Sequence, residues 1–276
     1  MTRAATITER PMPAAATSSP TIDVAAAVNS RGVLANCLQR SPDIASGALT
    51  LRTYEACRSA SQAYNRALAD TAADVLVLAH QDVYLPAGFL EHARAELRRL
   101  DALQPSWALA GVTGLDAQKV FHGRTWSSGL GQLLGERPAA PVAVETLDEM
   151  LIFVRCASGL RFDEDLPGFH LYAADAVQIA RARGLGSYVI DAPAIHHSRA
   201  VVALDGGYRK AYRYMQRKWR AQLPIPNLVC PITRSPLTLL LRDLRIRRKH
   251  RGKARPTEPT DDPSAIAVRL GFEAPA

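Results

Sequence analysis

The sequence predicts an α/β sandwich with a mainly parallel central sheet and additional C-terminal helices. Short apolar runs, of the kind found in strands buried on both faces of a sheet, alternate along the chain with segments whose apolar residues recur at helical spacing. Three of the apolar runs end in clusters of polar residues. Because open α/β sheets bind their ligands at the carboxyl ends of strands, these clusters are where a functional site is expected.

The composition is that of an ordinary globular protein with a substantial core. Of the 276 residues, 47% are hydrophobic and 22% are charged, which excludes a collagen, a coiled coil and a wholly disordered chain. No apolar run is long enough for a membrane-spanning helix, and Glu9, Pro11 and Pro13 interrupt the segment where a signal peptide needs apolar residues. The four cysteines lie far apart without a CxxC pair, which is typical of reduced thiols. We therefore expect a cytoplasmic protein.

The first elements can be placed in order along the chain. Residues 1–20 are rich in Ala, Pro, Ser and Thr without periodicity, which predicts a disordered leader. The apolar run 22–28 predicts the first strand, and apolar positions spaced i, i+3 and i+4 predict helices at 31–40 and 57–70. The run 75–79, which ends in a polar triplet, is the clearest strand signal in the chain.

The middle of the chain continues the alternation. A helix is predicted at 87–101, and the run 107–114 predicts another short buried strand. Residues 115–140 are rich in Gly, Pro and polar residues, so an irregular excursion is expected there. Residues 142–155 predict two short strands around an acidic turn.

The last third of the chain predicts helices at 170–184 and 207–222, with a strand at 187–198 between them. A Pro-rich break precedes a basic terminal helix at 237–251. The predicted organisation is a leader over residues 1–20, a folded domain over 21–222, and a Pro-rich linker with a basic tail over 223–276.

The net charge of +8 is concentrated in one segment. Residues 234–255 carry nine Lys or Arg and a single acid, Asp243, so the rest of the chain is balanced. A nucleic-acid partner for the folded body is therefore not expected. The apolar run 237–241 followed by basic residues predicts a helix lying on an anionic membrane surface. The alternative is a solvated basic tail.

Polar residues at three predicted strand ends are candidates for a site. Asp82 follows the strand 75–79, where a carboxylate could bind a divalent cation or only cap a turn. His196 and His197 follow another strand, and because adjacent strand residues point to opposite faces, we expect one of them to join a given site. The third strand end carries Asn29 and Ser30.

Acidic residues outside the strand ends form two further candidates. Asp175 lies in an apolar helix, where a carboxylate needs a partner or a role, and an ion pair with a nearby Arg is the alternative. Asp148 and Glu149 belong to an acidic turn that could also be simply solvated.

The order of several motifs resembles a known family. The quoted segments are AHQDVYLP (79–86), VETLDEMLIFVR (144–155), FDEDLPGFHLYAADA (162–176), YVIDAPAIHHS (188–198) and RKW (217–219), together with the upstream helix SQAYNRAL (61–68). In this order they resemble the GT-A-fold glycosyltransferases of the family 2 type, in the bacterial branch whose metal motif reads HQD. The resemblance covers about three quarters of the chain, from Thr21 to Trp219.

The resemblance implies roles for the candidate residues. Asp82 would hold a divalent cation, Mn²⁺ or Mg²⁺, on the diphosphate of a nucleotide sugar, with His197 or His196 completing the metal shell. Asp175 would be the general base. The remaining implied contacts are Asn29, Ser30, Asn65 and Gln81 at the nucleotide, and Asp148 and Glu149 at donor or acceptor hydroxyls.

The sequence departs from the family pattern at two places. The usual acidic end of the second strand is replaced by SPDIASGALTLRT (41–53). This segment has Asp43 as its only acid, so the identity of the nucleobase stays open. Asp175 is preceded by Ala174 instead of Glu, so the assignment of the catalytic general base depends on this one residue.

We therefore expect a metal-dependent, inverting glycosyltransferase that moves a hexosyl or related sugar from a nucleotide-sugar donor to a glycan or lipid-linked acceptor in bacterial polysaccharide biosynthesis. The expected location is the cytoplasm, at the inner face of the membrane. A nucleotidyltransferase is one alternative, although no Gly-rich, Lys-bearing phosphate loop follows the first strand. A membrane-binding or nucleic-acid-binding adaptor with a vestigial catalytic centre is the other.

Overall fold

A computed structural model describes residues 19–204, 206–252 and 257–274. Residues 1–18 of the predicted leader lie outside the described residues. The strands are β1 Ile22–Val28, β2 Thr50–Glu55, β3 Val75–Ala79, β4 Val83–Tyr84, β5 Trp107–Gly111, β6 Thr113–Leu115, β7 Phe121–Ser127, β8 Gln132–Glu136, β9 Val142–Ala143, β10 Thr146–Leu147, β11 Leu151–Arg155, β12 Gly186–Val189 and β13 Ala194–His196. The α-helices are α1 Arg31–Asn36, α2 Pro42–Ala45, α3 Ala60–Asp70, α4 Phe89–Leu103, α5 Tyr172–Ala182, α6 Gly207–Lys218, α7 Leu237–His250 and α8 Pro263–Arg269.

The central sheet has seven strands in the order β2-β1-β3-β11-β5-β12-β9. The pairs β1–β2, β1–β3 and β5–β12 are parallel, whereas β11 and β9 run antiparallel to their neighbours. Five of the seven strands therefore point the same way, and their carboxyl ends share one edge. This confirms the predicted α/β architecture with a mainly parallel sheet and C-terminal helices.

Helices cover both faces of this sheet, which explains why its central strands read as unbroken apolar runs. Val75, Val77 and Ala79 of β3 pack into the core layer that contains α4. Leu76 and Leu78, which point to the opposite face, pack into the layer that contains α3, α5 and α6. A strand buried on both faces has no position for a polar side chain until it leaves the sheet, so the first polar residues mark its carboxyl end.

A second sheet follows the order β10-β6-β7-β13-β4, with β8 paired to β7. The irregular excursion expected at 115–140 is therefore wrong, because β7 and β8 form an antiparallel hairpin there. The side chains of β7 alternate between buried and half-buried, so no apolar run announces the strand. Gly123 has φ of 105°, and a Cβ there would overlap the carbonyl oxygen of Val112, so glycine is required within the strand.

Two further expectations need correction. The single strand expected at 187–198 is two strands, because β12 belongs to the central sheet and β13 to the second sheet. The edge strand β2, which is mostly exposed on both faces, was not among the strands that the apolar pattern predicted, although the family resemblance implied a second strand. An exposed edge strand lacks the apolar signature on which strand prediction depends.

The basic terminal helix packs against the rest of the protein. Leu239 on α7 is buried in the main core, and the Asp243 side chain is only 2% exposed. Helix α7 thus contacts elements that precede residue 222. The division into a folded domain over 21–222 and a tail over 223–276 remains a prediction. None of the helices in the described ranges is both long and apolar enough to cross a membrane.

Candidate active site

Three potential metal ligands meet where β3 and β13 end. His80 follows β3, Asp82 lies in the next turn, and His196 ends β13. The Nε2 atom of His196 lies 3.6 Å from Oδ1 of Asp82, and Nδ1 of His80 lies 3.9 Å from the same oxygen. One ligand atom from each residue lies within 4.8 Å of the others. We call this group the His–Asp–His cluster.

The backbone fixes the position of this cluster. The N–H of His80 donates to the carbonyl of Met150 at 2.9 Å, and β13 pairs with β4 so that His196 lies beside Val83. The N–H of His197 donates to the carbonyl of Asp82 at 2.7 Å. Both sheets therefore contribute to the same corner, which brings residues more than a hundred positions apart into contact.

A hydrogen-bond chain orients the imidazole of His80. The hydroxyl of Tyr172 donates to the carbonyl of Glu149 at 2.7 Å, and it lies 3.1 Å from Nε2 of His80. Because the Tyr172 hydroxyl donates its one proton to the backbone carbonyl of Glu149, its oxygen accepts a hydrogen bond from Nε2–H of His80. The lone pair is then on Nδ1, which faces Asp82. A histidine whose far nitrogen is tied to a protein acceptor is the usual arrangement behind a metal ligand.

Electrostatics keep the carboxylate of Asp82 ionised. Burial raises the pKa of Asp82, but the nearby His196 and His80 outweigh burial and hold this pKa well below its ordinary range. Burial lowers the pKa of His80 below its ordinary value. Burial also opposes protonation of His196, but its hydrogen bond to Asp82 raises the pKa of His196 overall. The cluster thus presents an anionic oxygen beside two imidazoles, the donor set that a divalent cation needs.

The structure separates the two adjacent histidines. His196 faces Asp82, whereas His197 points away, with Nδ1 3.1 Å from the hydroxyl of Ser128 and Nε2 3.2 Å from the carbonyl of Pro259. This is the alternation expected of neighbouring strand residues. Both ring nitrogens of His197 are thus engaged outside the cluster.

A cavity of 660 Å³ lies on one side of the cluster, at the carboxyl ends of β1, β2 and β3. We call it the first cavity. Asn29 and Gln81 lie on its wall. The Oε1 atom of Gln81 accepts from the N–H groups of Asn29 and Ser30, each at 3.0 Å, and its Nε2 donates to Oδ1 of Asn29 at 2.6 Å. Gln81 therefore ties the end of β1 to the turn after β3. The Ser30 hydroxyl caps α1 by accepting from Val33 N–H at 3.3 Å.

The far end of the first cavity carries an ion pair that the sequence did not suggest. Glu55 ends β2, lines the cavity, and pairs with Arg31 at 3.0 Å. The second strand thus does end in an acid, which corrects the expectation that Asp43 is the only acid available. Asp43 instead accepts from the N–H of Leu90 at 2.8 Å, near the start of α4.

Asn65 lies in a different environment from the other expected nucleotide contacts. Its Nδ2 donates to the carbonyl of Phe162 at 2.8 Å, and its Oδ1 accepts from the N–H of the same residue at 2.9 Å. Both ends of the amide therefore hold the segment after β11 against α3.

A second cavity of 770 Å³ lies on the other side of the cluster. His196 and Asp148 are on its wall, so it adjoins the metal ligands directly. Oδ1 of Asp148 accepts from the N–H of Met150 at 2.9 Å, which fixes the carboxylate at the cavity wall. The basic helix α7 forms another part of this wall.

The environment of Glu149 favours the protonated form of its carboxyl group. Burial and the neighbouring charge of Asp148 raise the pKa of Glu149 to about 8, although backbone N–H groups at the start of α5 oppose this.

Asp175 is clamped inside the protein. Its side chain is 2% exposed, and its two oxygens lie 2.7 and 2.8 Å from Nζ of Lys218. Nε1 of Trp219 donates to Oδ1 of Asp175 at 2.6 Å, and Lys218 also pairs with Asp163 at 2.6 Å. The partner is thus Lys218 on α6, whereas an ion pair with Arg181 or Arg183 was the alternative expected from the sequence. Both oxygens are occupied, and Asp175 lies on the wall of neither cavity.

Sequence reasoning missed His80, Tyr172 and Glu55 as site residues. His80 belongs to the segment HQD (80–82), which is the metal motif of the family that the sequence resembles. That signal could have identified it. Tyr172 and Glu55 depend on contacts between distant elements and on an unpredicted strand, so no comparable signal was present.

Comparison with known proteins finds distant relatives. No protein-family model matches the sequence. A Fuscovulum blasticum protein described as "ATP synthase subunits region ORF 6" is 28% identical over 159 residues, which is 56% of this chain and 63% of that protein. This chain thus spans less than two thirds of the relative's length.

Several solved structures that resemble the fold are glycosyltransferases, at low identity. GalNAc-T7 with UDP, GalNAc and Mn²⁺ has a TM-score of 0.46 and 11% identity, covering 87% of this chain and 56% of that one. Mannosyltransferase PcManGT from Pyrobaculum calidifontis with GDP-Man and Mn²⁺ has a TM-score of 0.44 and 11% identity, covering 93% of this chain and 80% of that one. Glucosyl-3-phosphoglycerate synthase from Mycobacterium tuberculosis with Mg²⁺ and UDP has a TM-score of 0.44 and 12% identity, covering 76% of this chain and 82% of that one. All three are distant likenesses with TM-scores below 0.5.

Proposed function

We propose that this protein is a glycosyltransferase that uses a divalent cation and a nucleotide-sugar donor. The observation that carries the proposal is the position of the His–Asp–His cluster between two cavities at the carboxyl edge of the central sheet. A transferase needs two substrates to meet at one reacting centre, and this arrangement offers a separate space for each. The motif order shared with GT-A-fold enzymes of the family 2 type supports the same proposal.

The cluster residues fit a bound cation. The separations of 3.6 and 3.9 Å from Asp82 are shorter than the ~4.2 Å that two metal–ligand bonds of about 2.1 Å can span. Two imidazole nitrogens with one carboxylate favour a transition metal such as Mn²⁺ over Mg²⁺, which prefers oxygen ligands. When bound, the cation supplies charge stabilisation for a departing diphosphate.

The first cavity suits the nucleotide part of the donor. The Asn29–Gln81 hydrogen bonds hold the end of β1 beside the turn that carries Asp82, so a diphosphate bound there would lie next to the metal ligands. Glu55 and Arg31 lie at the opposite end, where hydrogen-bonding groups could read the base and ribose. We propose this end as the nucleoside contact.

The second cavity suits the acceptor. We propose that Asp148 takes the proton from the acceptor hydroxyl, because its carboxylate lies on the wall that the cavity shares with His196. The acceptor oxygen forms a bond to the anomeric carbon as the bond from that carbon to the diphosphate oxygen breaks. The nucleoside diphosphate leaves with the bonding electrons. A single displacement of this kind inverts the anomeric configuration. Asp175, clamped by Lys218, would then have a structural role.

A glycan or lipid-linked acceptor at an anionic membrane surface remains our proposal for the biological setting. Four leucines on α7 are each about half exposed, at positions spaced i, i+3, i+4 and i+7: Leu237, Leu240, Leu241 and Leu244. They form an apolar stripe that faces solvent next to basic residues. Such a helix suits a membrane interface, where the leucines enter the acyl boundary and the basic residues meet anionic headgroups. Polysaccharide assembly at the inner face of a bacterial membrane would supply such an acceptor.

Thermal unfolding with Mn²⁺ and a panel of nucleoside diphosphates tests the proposed function. A ligand that binds the folded state raises the unfolding temperature, so at least one nucleotide should raise it only when Mn²⁺ is present. Asp82→Asn should abolish that shift. Asp116→Asn, at an aspartate that is also paired with a histidine (His122, 2.8 Å), is the matched control and should keep it.

Product analysis separates sugar transfer from nucleotidyl transfer. A glycosyltransferase releases a nucleoside diphosphate from the donor, whereas a nucleotidyltransferase would release pyrophosphate from a nucleoside triphosphate. Release of pyrophosphate, or a metal-dependent shift that Asp82→Asn leaves unchanged, would refute the proposed function.

A further inference from the structure

Helix α7 is held in one rotational setting by a buried carboxylate. Asp243 accepts from the N–H of Leu204 at 2.8 Å and pairs with Arg209 at 2.7 Å and with Arg247 at 3.0 Å. Leu239 is buried one turn earlier. Because the buried side of the helix is fixed, the directions of its other side chains are fixed as well.

One of the remaining sides of α7 faces the second cavity. Arg242, Arg245 and Lys249 lie at positions i, i+3 and i+7, and all three line that cavity. Nε of Arg242 donates to the carbonyl of Val229 at 2.8 Å, which holds its stem against the cavity wall. Within the part of the chain that the structure describes, none of the three forms an ion pair with a carboxylate.

The second cavity therefore carries an excess of positive charge. Arg199, paired with Glu258 at 2.8 Å, adds a fourth cation to its wall, whereas Asp148 is the only acid among the described residues that line it. Cations that line a concave, partly apolar surface focus their field inside it. The cavity is thus suited to an anionic ligand that approaches the His–Asp–His cluster from the α7 side.

Apolar side chains form a large part of the remaining cavity wall. Leu134, Leu228, Val229 and Ile246 lie on it beside the basic residues. A ligand that fits must combine an anionic group with a body that tolerates apolar contacts. Arginine side chains present several N–H donors in a planar fork, which suits phosphate oxygens.

We propose that the acceptor carries a phosphate group and that Arg242, Arg245 and Lys249 hold this phosphate while the acceptor hydroxyl lies near Asp148. This inference deepens the proposed function, on which it rests for the identity of the second cavity as the acceptor side. The basic residues of α7 would then have two roles. Those facing the second cavity select the substrate, and those beside the leucine stripe face solvent, where they would meet anionic headgroups.

Calorimetry with small phosphate esters tests this inference without metal or nucleotide. The probes are glucose 1-phosphate and hexyl phosphate, with glucose and hexanol as their uncharged counterparts, all titrated in EDTA so that the His–Asp–His cluster contributes no bound cation. At least one phosphate should bind, and both uncharged counterparts should bind at least about tenfold more weakly, since each lost charge-assisted hydrogen bond corresponds to about that factor.

Paired double variants on the same helix locate the binding. Arg245→Gln with Lys249→Gln should weaken phosphate binding by about tenfold or more. Arg248→Gln with Arg251→Gln removes the same charge from residues outside the cavity wall and should change it less than threefold. All four side chains are exposed, so both variants should fold, which circular dichroism checks.

The two probes distinguish the sources of the phosphate. Preference for hexyl phosphate supports a lipid-linked acceptor, and preference for glucose 1-phosphate supports a sugar phosphate. Equal weakening by both double variants, or no binding of either phosphate, would overturn the inference. Metal-dependent nucleotide binding, measured on the same variants, would still report on the proposed function independently.

Discussion

The clamp around Asp175 makes a quantitative prediction about stability. Asp175→Asn removes a buried charge whose oxygens lie 2.7 and 2.8 Å from Lys218. Breaking a buried ion pair by removing one partner costs about 3–5 kcal/mol. Because Lys218 keeps Asp163 at 2.6 Å, we expect a loss at the lower end, about 3 kcal/mol in the free energy of unfolding.

A double-mutant cycle isolates the pair. Lys218→Met should destabilise the protein by a similar amount, because it leaves Asp175 buried with only Trp219 as partner. The double variant should lose about 1–3 kcal/mol less than the sum of the single losses, since the cost of the unpaired partner is then removed. Lys210→Met, at an exposed lysine on the same helix, is the control and should lie within about 0.5 kcal/mol of the natural protein.

Urea unfolding gives these free energies, and sugar transfer measured under folding conditions gives the second readout. We expect Asp175→Asn to keep turnover within a few-fold, whereas Asp148→Asn should lose about two or more orders of magnitude. A structural role for Asp175 is ruled out if Asp175→Asn is as stable as the natural protein while its turnover falls a hundredfold. That result would make Asp175 the base, as the family resemblance implies.

Three other predictions follow from the site. The raised pKa of Glu149, about 8 against an ordinary 4.5, means that the folded state binds an extra proton between these values, so this residue's contribution to stability is full below pH 4.5 and is lost as pH rises to 8. Glu149→Gln should remove up to about 1.4 kcal/mol per pH unit of that slope in urea titrations, and an unchanged slope would contradict the assignment. Tyr172→Phe should weaken Mn²⁺ binding about 10–100-fold by calorimetry, because His80 loses the acceptor that fixes its tautomer; undiminished affinity would show that the hydrogen bond is unimportant. Leu240→Ser with Leu244→Ser should reduce co-sedimentation with anionic liposomes several-fold, and full sedimentation would argue against the leucine stripe as the membrane contact.

The elements nearest the site were the ones that the sequence predicted best. Strands β1 and β3 are buried on both faces, so their apolar runs and the polar residues that follow are visible without a structure. Asp82 was identified for that reason. The choice between His196 and His197 needed the pairing of β13 with β4, which is a tertiary fact.

The parts that the sequence did not predict depend on long-range contacts or on exposed strands. The hairpin of β7 and β8 lacks an apolar run because most of its side chains are half-buried or exposed. The docking of α7 depends on Asp243 meeting Arg209 and Leu204, residues that lie more than thirty positions away. A basic helix with a leucine run gives no sign by itself that a carboxylate in its middle is buried.

The most direct test of the central claim is an anomalous difference map from crystals grown with Mn²⁺ and the nucleoside diphosphate that gives the largest thermal shift. We expect one strong peak within about 2.3 Å of Nδ1 of His80, Oδ1 of Asp82 and Nε2 of His196, with the nucleotide in the first cavity. A peak bound elsewhere, or a nucleotide outside that cavity, would contradict it.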